Sequence, residues 1–323
     1  MRKKLFKSLK NNPVSQFTAI STIPEKISEK VFLKISENTE AIDISYVHTP
    51  LCLNPLLVGI LNKNSFDVEK IENFVLNIVR TNSTEYGNQF IQSKLNAKVK
   101  LSYFKSINIM ENISVELFTV QKSTLLQSTR FQRNRYTLSL YFHYLKSRKR
   151  NSISFLNNLA ALYSFPRKVI LNIIRTSSHF NIFPMDLVCE LSEEALIILG
   201  LNINNRSVDE IINTKKMLIV EPKHSSKKIV YGFAGNHRKE MIESDFIDKY
   251  KYESEKFYFP VPDFTCSYKE ICLEKYVQLG SHYLFVCKIV GKKNIAENNP
   301  LLYHISTLHY WDLLQQNDFY PIA

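Results

Sequence analysis

The apolar residues of this chain fall into short runs rich in branched side chains, and this grouping limits the fold more than any other feature of the sequence. The runs and extended stretches lie at 31–35, 55–61, 97–103, 115–120, 169–174, 180–187, 195–201, 228–233, 273–278 and 283–290. Runs of this length and composition are typical of buried strands, which must pair with other strands. The sequence therefore predicts a mostly β protein with short helices, closed into a barrel or stacked as a sandwich.

Helical signals are fewer than strand signals. Residues 67–78 place apolar side chains at spacings of three and four, which predicts one apolar helix face, and residues 154–163 resemble a short helix. Ser207 stands three residues before Glu210, so this pair predicts a capping box at the start of a helix. The aromatic-rich segment 135–145 fits either a strand or a helix.

Residue spacing excludes several classes of site. The chain has seven glycines, and they form neither a dinucleotide-binding G-x-G-x-x-G motif nor a phosphate-binding P-loop. Five cysteines without a C-x-x-C pair and eight histidines without an H-E-x-x-H motif predict no metal site. The apolar runs are shorter than the ~18 residues of a membrane span, and the basic start lacks the apolar core of a signal peptide. We expect a protein of the reducing cytoplasm without a membrane span.

The net charge is +12 and is unevenly spread. No Asp or Glu occurs between Glu116 and Asp186, an interval that holds eleven Lys and Arg residues, and residues 2–10 add five more cations. Such segments either form a solvated basic face or attract a phosphate-bearing cofactor, nucleic acid or an anionic membrane surface. Nucleic acid is disfavoured as a partner, because the sequence has no zinc finger, RNA-recognition signature or basic zipper, although residues 133–136 interleave arginines with a tyrosine.

A weak internal repeat links the two halves of the sequence. Residues 57–67 resemble residues 197–209, since each stretch leads from a buried strand through a basic residue, a Ser and an Asp toward a predicted helix. The match indicates either a tandem duplication with one degenerate copy or a chance similarity of strand, turn and helix signals. The corresponding division is a basic tail (1–12), a degenerate barrel-like domain (13–120), a basic connecting segment (121–159) and a second domain (160–323).

Several segments of the second half resemble, in order, the motifs of one known family. They are an opening strand at 165–171, a stretch at 181–186, a strand and turn at 195–207, a G-x-H strand at 280–289, and a closing P-L-x-Y segment at 300–303 with Tyr310. Over about residues 160–312 the chain thus resembles the flavin reductase-like, FMN-binding split-barrel family. The last two segments are the more specific ones.

The resemblance implies a split β-barrel, FMN as the cofactor and NADH or NADPH as the electron donor. It places the flavin ring along 181–186 and the phosphate at the turn that follows the strand 195–201. The candidate cofactor-binding residues are Asn181, Phe183, Pro184, Met185, Asp186, Asn202, Asn204, Arg206, Ser207, His237 and His282. No catalytic acid or base is implied, because the flavin itself carries the hydride chemistry.

The chain also departs from the family pattern. Small hydroxylic residues are usual at 183–186, an acid is usual at Ser281, and a glycine is usual at Cys287. Three functions therefore stay open: a flavin-dependent NAD(P)H oxidoreductase, a non-enzymatic flavin-binding or ligand-free interaction module, and a binder of anionic polymers. Independently of the family, backbone N–H groups at a helix start with Arg206 beside them suit a phosphate.

The repeat and the resemblance together bear on assembly. Members of this family generally hold flavin at the interface of a two-fold dimer, so two barrel-like halves imply an intrachain pseudo-dimer, with a homodimer as the alternative. At the position that matches Arg206 and Ser207, the first half has Asn64 and Ser65, with the cation moved to Lys63. We therefore predict about one FMN per chain, bound mainly by the second half.

Overall fold

The computed structural model describes the chain in eleven stretches, and the structural statements below concern these residues. They are 16–35, 41–63, 74–80, 95–127, 129–146, 152–176, 179–239, 242–243, 252–296, 299–315 and 320–322. Strands dominate this part of the chain and the helices are short, so the mostly β fold class is confirmed.

The strands of the first half form the N-terminal sheet, apart from the first of them. They are β1 (Phe17–Thr22), β2 (Glu29–Lys34), β3 (Ile42–Asp43), β4 (His48–Leu53), β5 (Leu56–Asn62), β6 (Phe74–Arg80), β7 (Leu95–Met110) and β8 (Ile113–Leu125). The N-terminal sheet has the order β3-β2-β6-β7-β8-β5-β4, and the pairs are antiparallel. Burial alternates along β2, as expected for a strand with one face on the core.

The strands of the second half form the C-terminal sheet and two small sheets. They are β9 (Arg167–Lys168), β10 (Ile170–Arg175), β11 (His179–Met185), β12 (Val188–Leu191), β13 (Leu196–Asn202), β14 (Lys216–Pro222), β15 (Ile242–Glu243), β16 (Tyr252–Glu253), β17 (Pro260–Val261), β18 (Thr265–Gln278), β19 (His282–Asn294) and β20 (Leu301–Ser306). The C-terminal sheet has the order β12-β13-β19-β18-β14-β10-β11-β15. A separate sheet, β1-β20-β9, joins the start of the described chain to its end.

Short helices cover the sheets. They are α1 (Arg130–Lys146), α2 (Ile153–Leu162), α3 (Val208–Thr214), α4 (Lys227–Gly232) and α5 (Thr307–Gln315), with 3-10 turns at Pro24–Lys26, Ser192–Glu194, His224–Ser226 and Phe233–Arg238. Helix α2 packs on β7 and β8, and its buried Leu156 and Leu159 join the core of the N-terminal sheet. No helix in the described residues is long and apolar enough to cross a membrane.

Three sequence-based assignments of elements need comment. The segment 135–145, left open between strand and helix, lies in α1. The helix predicted at 67–78 is wrong from Phe74 onward, where β6 begins, and residues 67–73 of that prediction lie outside the described residues. Buried Phe74, Leu76 and Ile78 alternate with period two between the neighbouring strands β2 and β7, and this pairing prevails over the helical spacing.

The strand predicted at 228–233 is also wrong. This segment belongs to helix α4, of which Val230 is the buried residue, and to the 3-10 turn that follows. A single buried side chain per turn suits a short surface helix rather than a buried strand.

The two large sheets share one strand order. The seven strands β2–β8 of the N-terminal sheet and the seven strands β10–β14, β18 and β19 of the C-terminal sheet can each be numbered along the chain. In both sheets of the described structure, the spatial order is then third, fourth, seventh, sixth, fifth, first and second. Two copies of so specific a topology are what a tandem duplication would produce.

The sheets also meet along corresponding strands. An apolar cluster joins Leu51, Leu57 and Val115 of β4, β5 and β8 to Ile198 and Val286 of β13 and β19. These strands are the third, fourth and seventh of one sheet and the fourth and seventh of the other, so similar faces are in contact, as at a two-fold interface. The approach is close, because a Cβ at Gly200 would lie 2.5 Å from the carbonyl oxygen of Leu51.

Candidate functional site

The predicted ring-contacting stretch lies on β11 and is only partly accessible. Asn181 and Phe183 are buried, and Phe183 belongs to the apolar core inside the C-terminal sheet. Pro184, Met185 and Asp186 are half-buried at the end of the strand. A ring placed on β11 could therefore contact Pro184 and Met185, whereas contact with the Phe183 side chain would require the core to open.

Asp186 is held by a network that the sequence analysis missed. Its Oδ2 accepts hydrogen bonds from the Tyr163 hydroxyl (3.0 Å) and from Nδ1 of His304 (2.7 Å). The other ring nitrogen of His304 lies 2.5 Å from the hydroxyl of Tyr231. Burial, reinforced by the charge of Asp186, raises the pKa of both Tyr163 and Tyr231, so both stay protonated donors. His304 directly follows the closing motif, which is the one signal that could have pointed to it.

The predicted phosphate-binding turn leads from β13 into α3. Helix α3 does begin directly after Ser207, but the capping box is wrong, because the Ser207 side chain makes no cap hydrogen bond. Its Oγ instead accepts a hydrogen bond from Nδ2 of Asn181 at 2.7 Å, and Ser207 is completely buried. The structure thus brings Asn181 and Ser207 together, and the Ser207 hydroxyl already has a protein partner.

Arg206 and Asn204 are the exposed polar residues of this turn, and Ile203 is exposed beside them. With His179 and the acidic residues Asp209 and Glu210, they line an open depression of about 620 Å³. The backbone N–H of Arg206 donates to the carbonyl oxygen of His237 (3.0 Å), which brings this candidate histidine to the turn.

The His237 ring bonds to its own segment rather than to the turn. Nδ1 lies 2.5 Å from the carbonyl oxygen of Ala234, and Nε2 accepts from Nε of Arg238 at 3.1 Å. His237 therefore lies beside the phosphate turn through its backbone, and its ring is already hydrogen-bonded at both nitrogens.

His282 lies across the sheet from Asn202 and faces the first half. The two residues are register partners in β19 and β13. Nδ1 of His282 lies 2.9 Å from Oγ of Ser281, which in turn accepts from the backbone N–H of Asn54 at 3.0 Å. Burial lowers the pKa of His282 to about 4, so the ring is neutral near pH 7.

Gly280 completes this contact between the halves. Its φ is +75°, and a Cβ would lie 2.5 Å from the carbonyl oxygen of Asn54. Two constraints therefore favour glycine at this position of the G-x-H motif: the positive φ, and the close approach of Asn54 from the first half. Ser281, which departs from the family pattern, uses its N–H and its hydroxyl to bind Asn54.

The comparisons with known proteins agree with the motifs. Residues 162–312 match the model of the flavin reductase like domain. This segment therefore resembles a flavin reductase-like domain. No curated protein matches the chain.

Solved structures with partial similarity to this chain include flavin reductases. BorF, the flavin reductase component of a bacterial two-component tryptophan halogenase, is 11% identical, with 46% of this chain and 95% of BorF covered and a TM-score of 0.41. The NADH:FAD oxidoreductase SgcE6 of Streptomyces globisporus is 12% identical, with 45% and 85% covered and a TM-score of 0.40. An FMN-binding protein from Thermus thermophilus is 13% identical, with 44% and 82% covered and a TM-score of 0.38. The function proposed below rests on the family match of residues 162–312 and not on these structural similarities.

Proposed function

We propose that the chain is a flavin-binding oxidoreductase that uses FMN and accepts a hydride from NADH or NADPH. The observation that carries this proposal is the match of residues 162–312 to the flavin reductase like domain. Flavin, when bound, supplies the redox chemistry. The tasks of the chain are then to hold the phosphate, to orient the ring and to exclude water from it.

The layout of β11 supports this proposal. Asn181 reaches the phosphate turn through Ser207, and Met185 lies at the far end of the same strand. A strand rises ~3.3 Å per residue, so about 13 Å separate positions 181 and 185. That span suits a flavin ring joined to a phosphate by a ribityl chain.

Seven of the candidate residues have a role in this arrangement. Arg206 and Asn204 would contact the phosphate, and Pro184 and Met185 would contact the ring. Asp186, fixed by Tyr163 and His304, would stay beside the ring without rearranging. Asn181 and Ser207 would shape the turn from within, because their side chains bond to each other.

The shared strand order supports an intrachain pseudo-dimer as the frame for this site. Both sheets repeat the same seven-strand topology in the described chain, and they meet along corresponding strands. The first half would then take the place of the second subunit of a two-fold dimer. A homodimer remains the alternative arrangement.

Two observations favour a second candidate, a ligand-free module that keeps the barrel without the cofactor. The Ser207 hydroxyl is bonded to Asn181, and Phe183 is 1% exposed within the core. Both residues are thus used for packing. In this candidate the chain serves as an interaction protein without redox activity.

The visible absorption spectrum of the purified full chain separates these functions. A flavin-binding protein is expected to be yellow as purified, or to stay yellow after FMN is added and the unbound FMN is removed by gel filtration, and NADH or NADPH should then bleach the flavin band. FAD and riboflavin, titrated in parallel, test whether the phosphate and the nucleotide matter. A protein that is colourless after incubation with saturating FMN and removal of the unbound FMN would leave the ligand-free module as the function.

A further inference from the structure

A cavity of about 290 Å³ lies between the two halves, away from the phosphate turn. The first half contributes Tyr46 and His48 to its wall, and the second half contributes Phe165, Arg167, Glu190 and Lys269. Most of the remaining lining is apolar, including Ile27, Ile170, Ile197 and Ile219. The cavity therefore combines an apolar wall with a few charged groups, which is the usual composition of a small-molecule site.

Arg167 is the most informative residue of this cavity. It is 3% exposed, and its guanidinium donates to the carbonyl oxygens of His48 (3.1 Å) and Leu162 (3.3 Å) and to Nε2 of His48 (2.8 Å). A guanidinium has five N–H donors, so these bonds leave donors unused, and Nε is buried without a partner. No carboxylate among the described residues forms an ion pair with Arg167.

The neighbouring His48 carries no negative charge that could compensate the positive charge of Arg167. Nδ1 of His48 lies 2.7 Å from the carbonyl oxygen of Ile44 and donates to it, so Nε2 is the acceptor for Arg167 and the ring is neutral. Burial, followed by the charge of Arg167, holds the pKa of His48 well below its ordinary value. Burial lowers the pKa of Arg167 itself to about 10, which leaves it charged at neutral pH.

The other charges of the cavity balance one another. Nζ of Lys168 lies 2.8 Å from Glu221, and Nζ of Lys269 lies 3.2 Å from Glu221 and 2.6 Å from Glu190. Two lysines thus face two carboxylates, and Arg167 is the one charged residue of the lining without an ion pair in the described chain; Asp186, outside the lining, raises the pKa of Arg167 by its charge but lies beyond ion-pair distance. A buried charge without a counter-ion is costly, and an anionic ligand would remove that cost.

We propose that this cavity between the halves binds a small aromatic monocarboxylate, whose carboxylate pairs with Arg167 and whose ring lies among Phe165, Tyr46 and the isoleucines. One arginine without an ion pair matches one carboxylate, and the planar carboxylate matches the guanidinium fork. A volume of about 290 Å³ is at the small end of ligand sites. His48 is a positioning residue, since it orients Arg167 from the other half of the chain. The proposal does not depend on flavin binding.

Titration calorimetry of the full chain with sodium benzoate tests the site. Benzamide has the same shape without the charge, and inorganic phosphate has charge without the apolar ring. We expect saturable binding of about one benzoate per chain, with benzamide at least about tenfold weaker because the charge-assisted contact is lost. Failure of benzoate to bind, equal binding of benzamide, or equally tight binding of phosphate would each overturn the proposal.

Variants of the arginines locate the site. Arg167→Gln is expected to weaken benzoate binding about 10- to 100-fold, whereas Arg167→Lys keeps a charge and loses less. The matched control is Arg175→Gln, which removes an arginine from the far end of β10, where it pairs with Glu253. Unchanged benzoate affinity in a folded Arg167→Gln protein would contradict the assignment.

Two further measurements keep the test decisive if Arg167→Gln does not fold. Tyr46 is 54% exposed, so Tyr46→Ala should fold, and it should weaken benzoate binding severalfold without changing the preference over benzamide. The comparison of benzoate with benzamide itself needs no variant. Because neither measurement uses flavin, the outcome is separate from that of the absorption experiment.

Discussion

The two large sheets have the same strand order but place opposite charges at corresponding positions. In the N-terminal sheet, Glu29 at the start of β2 is the register partner of Arg80 at the end of β6. In the C-terminal sheet, Lys168, just before β10, forms an ion pair with Glu221 at the end of β14. Acid and base are thus exchanged between the two halves. The strand order therefore depends on the apolar pattern, while these charges are free to differ.

The two charge clusters also do different work. Glu29 is completely buried, and it accepts hydrogen bonds from His309 and from Tyr320, both near the end of the chain. Burial would raise the pKa of Glu29, but these bonds and the charge of Arg80 lower it. The cluster of the first half thus connects the segments around His309 and Tyr320 to β2 by hydrogen bonds. The cluster of the second half instead lines the cavity between the halves.

The cations of the two turns show the same contrast. Lys63, which follows β5, lies 2.5 Å from Glu194 and 3.7 Å from Glu193 of the second half. Arg206, the cation of the corresponding turn after β13, is exposed and lines the open depression beside Asn204. The first half thus uses its cation to contact the second half, and the second half presents its cation to solvent.

The largest effect is expected from Glu221→Gln. This carboxylate lies between the half-buried Lys168 and Lys269, and its neutralisation leaves Lys168 without its partner and Lys269 with Glu190 alone. We expect a loss of about 3 kcal/mol in the free energy of unfolding, measured by urea denaturation. The matched control is Glu253→Gln, whose carboxylate is 51% exposed, and which should cost less than about 1 kcal/mol.

Glu221 should also make the stability of the folded protein depend on pH in the acid range. Burial would raise the pKa of Glu221, but Lys168 and Lys269 lower it to about 2 from an ordinary 4.5. A lowered carboxyl pKa stabilises the folded state fully above the unfolded value, so this contribution is lost as the pH falls from about 4.5 to about 2. Glu221→Gln should show a shallower loss of stability in that window. An unchanged acid profile would mean that the lysines do not compensate this carboxylate.

A smaller effect is expected from Gly200→Ala, which tests the contact between corresponding strands. The new Cβ would lie 2.5 Å from the carbonyl oxygen of Leu51 in the other half. Backbone against backbone cannot relax as a side chain can, so we expect a loss of about 2 kcal/mol in the free energy of unfolding. Gly232→Ala is the control, because a Cβ there meets nothing within 4 Å. Equal stability of the two variants would show that the halves are not held as closely as β4 and β13 imply.

Much of the fold could be predicted because each strand carries its own signal. The branched runs at 55–61 and 195–201 became β5 and β13, since short buried runs of this kind favour strands wherever they pair. The errors arose where a local pattern was ambiguous. Residues 74–78 fit both the helical spacing of three and four and the strand spacing of two, and only their pairing with β2 and β7 makes them a strand.

The candidate site could be predicted only in part, because its decisive contacts are distant in sequence. The Asn181–Ser207 hydrogen bond joins residues 26 positions apart. The Ser207 hydroxyl, expected to contact the phosphate, is bonded to Asn181 instead. The bond from Arg167 to His48 spans 119 positions and crosses between the halves. Arg167 was one cation among eleven in an acid-free interval, and nothing in that pattern distinguishes the buried one.

The smallest effect concerns flavin affinity and compares the two turns directly. Arg206→Ala removes the exposed cation proposed to contact the phosphate, and we expect FMN to bind roughly tenfold more weakly. Lys63→Ala is the matched variant of the first half, and it should leave FMN affinity unchanged because Lys63 bonds to Glu194. Both affinities can be measured by quenching of flavin fluorescence during titration.

Riboflavin supplies the control for this comparison, because it has the ring of FMN without the phosphate. Arg206→Ala should leave riboflavin affinity unchanged if the arginine acts on the phosphate alone. An equal loss for both flavins would assign Arg206 to the ring or to the shape of the turn. If Lys63→Ala lost as much FMN affinity as Arg206→Ala, both turns would bind flavin. The expected binding of about one flavin per chain would then be wrong, because it assumes that only the turn with Arg206 presents a cation to the phosphate at a helix start.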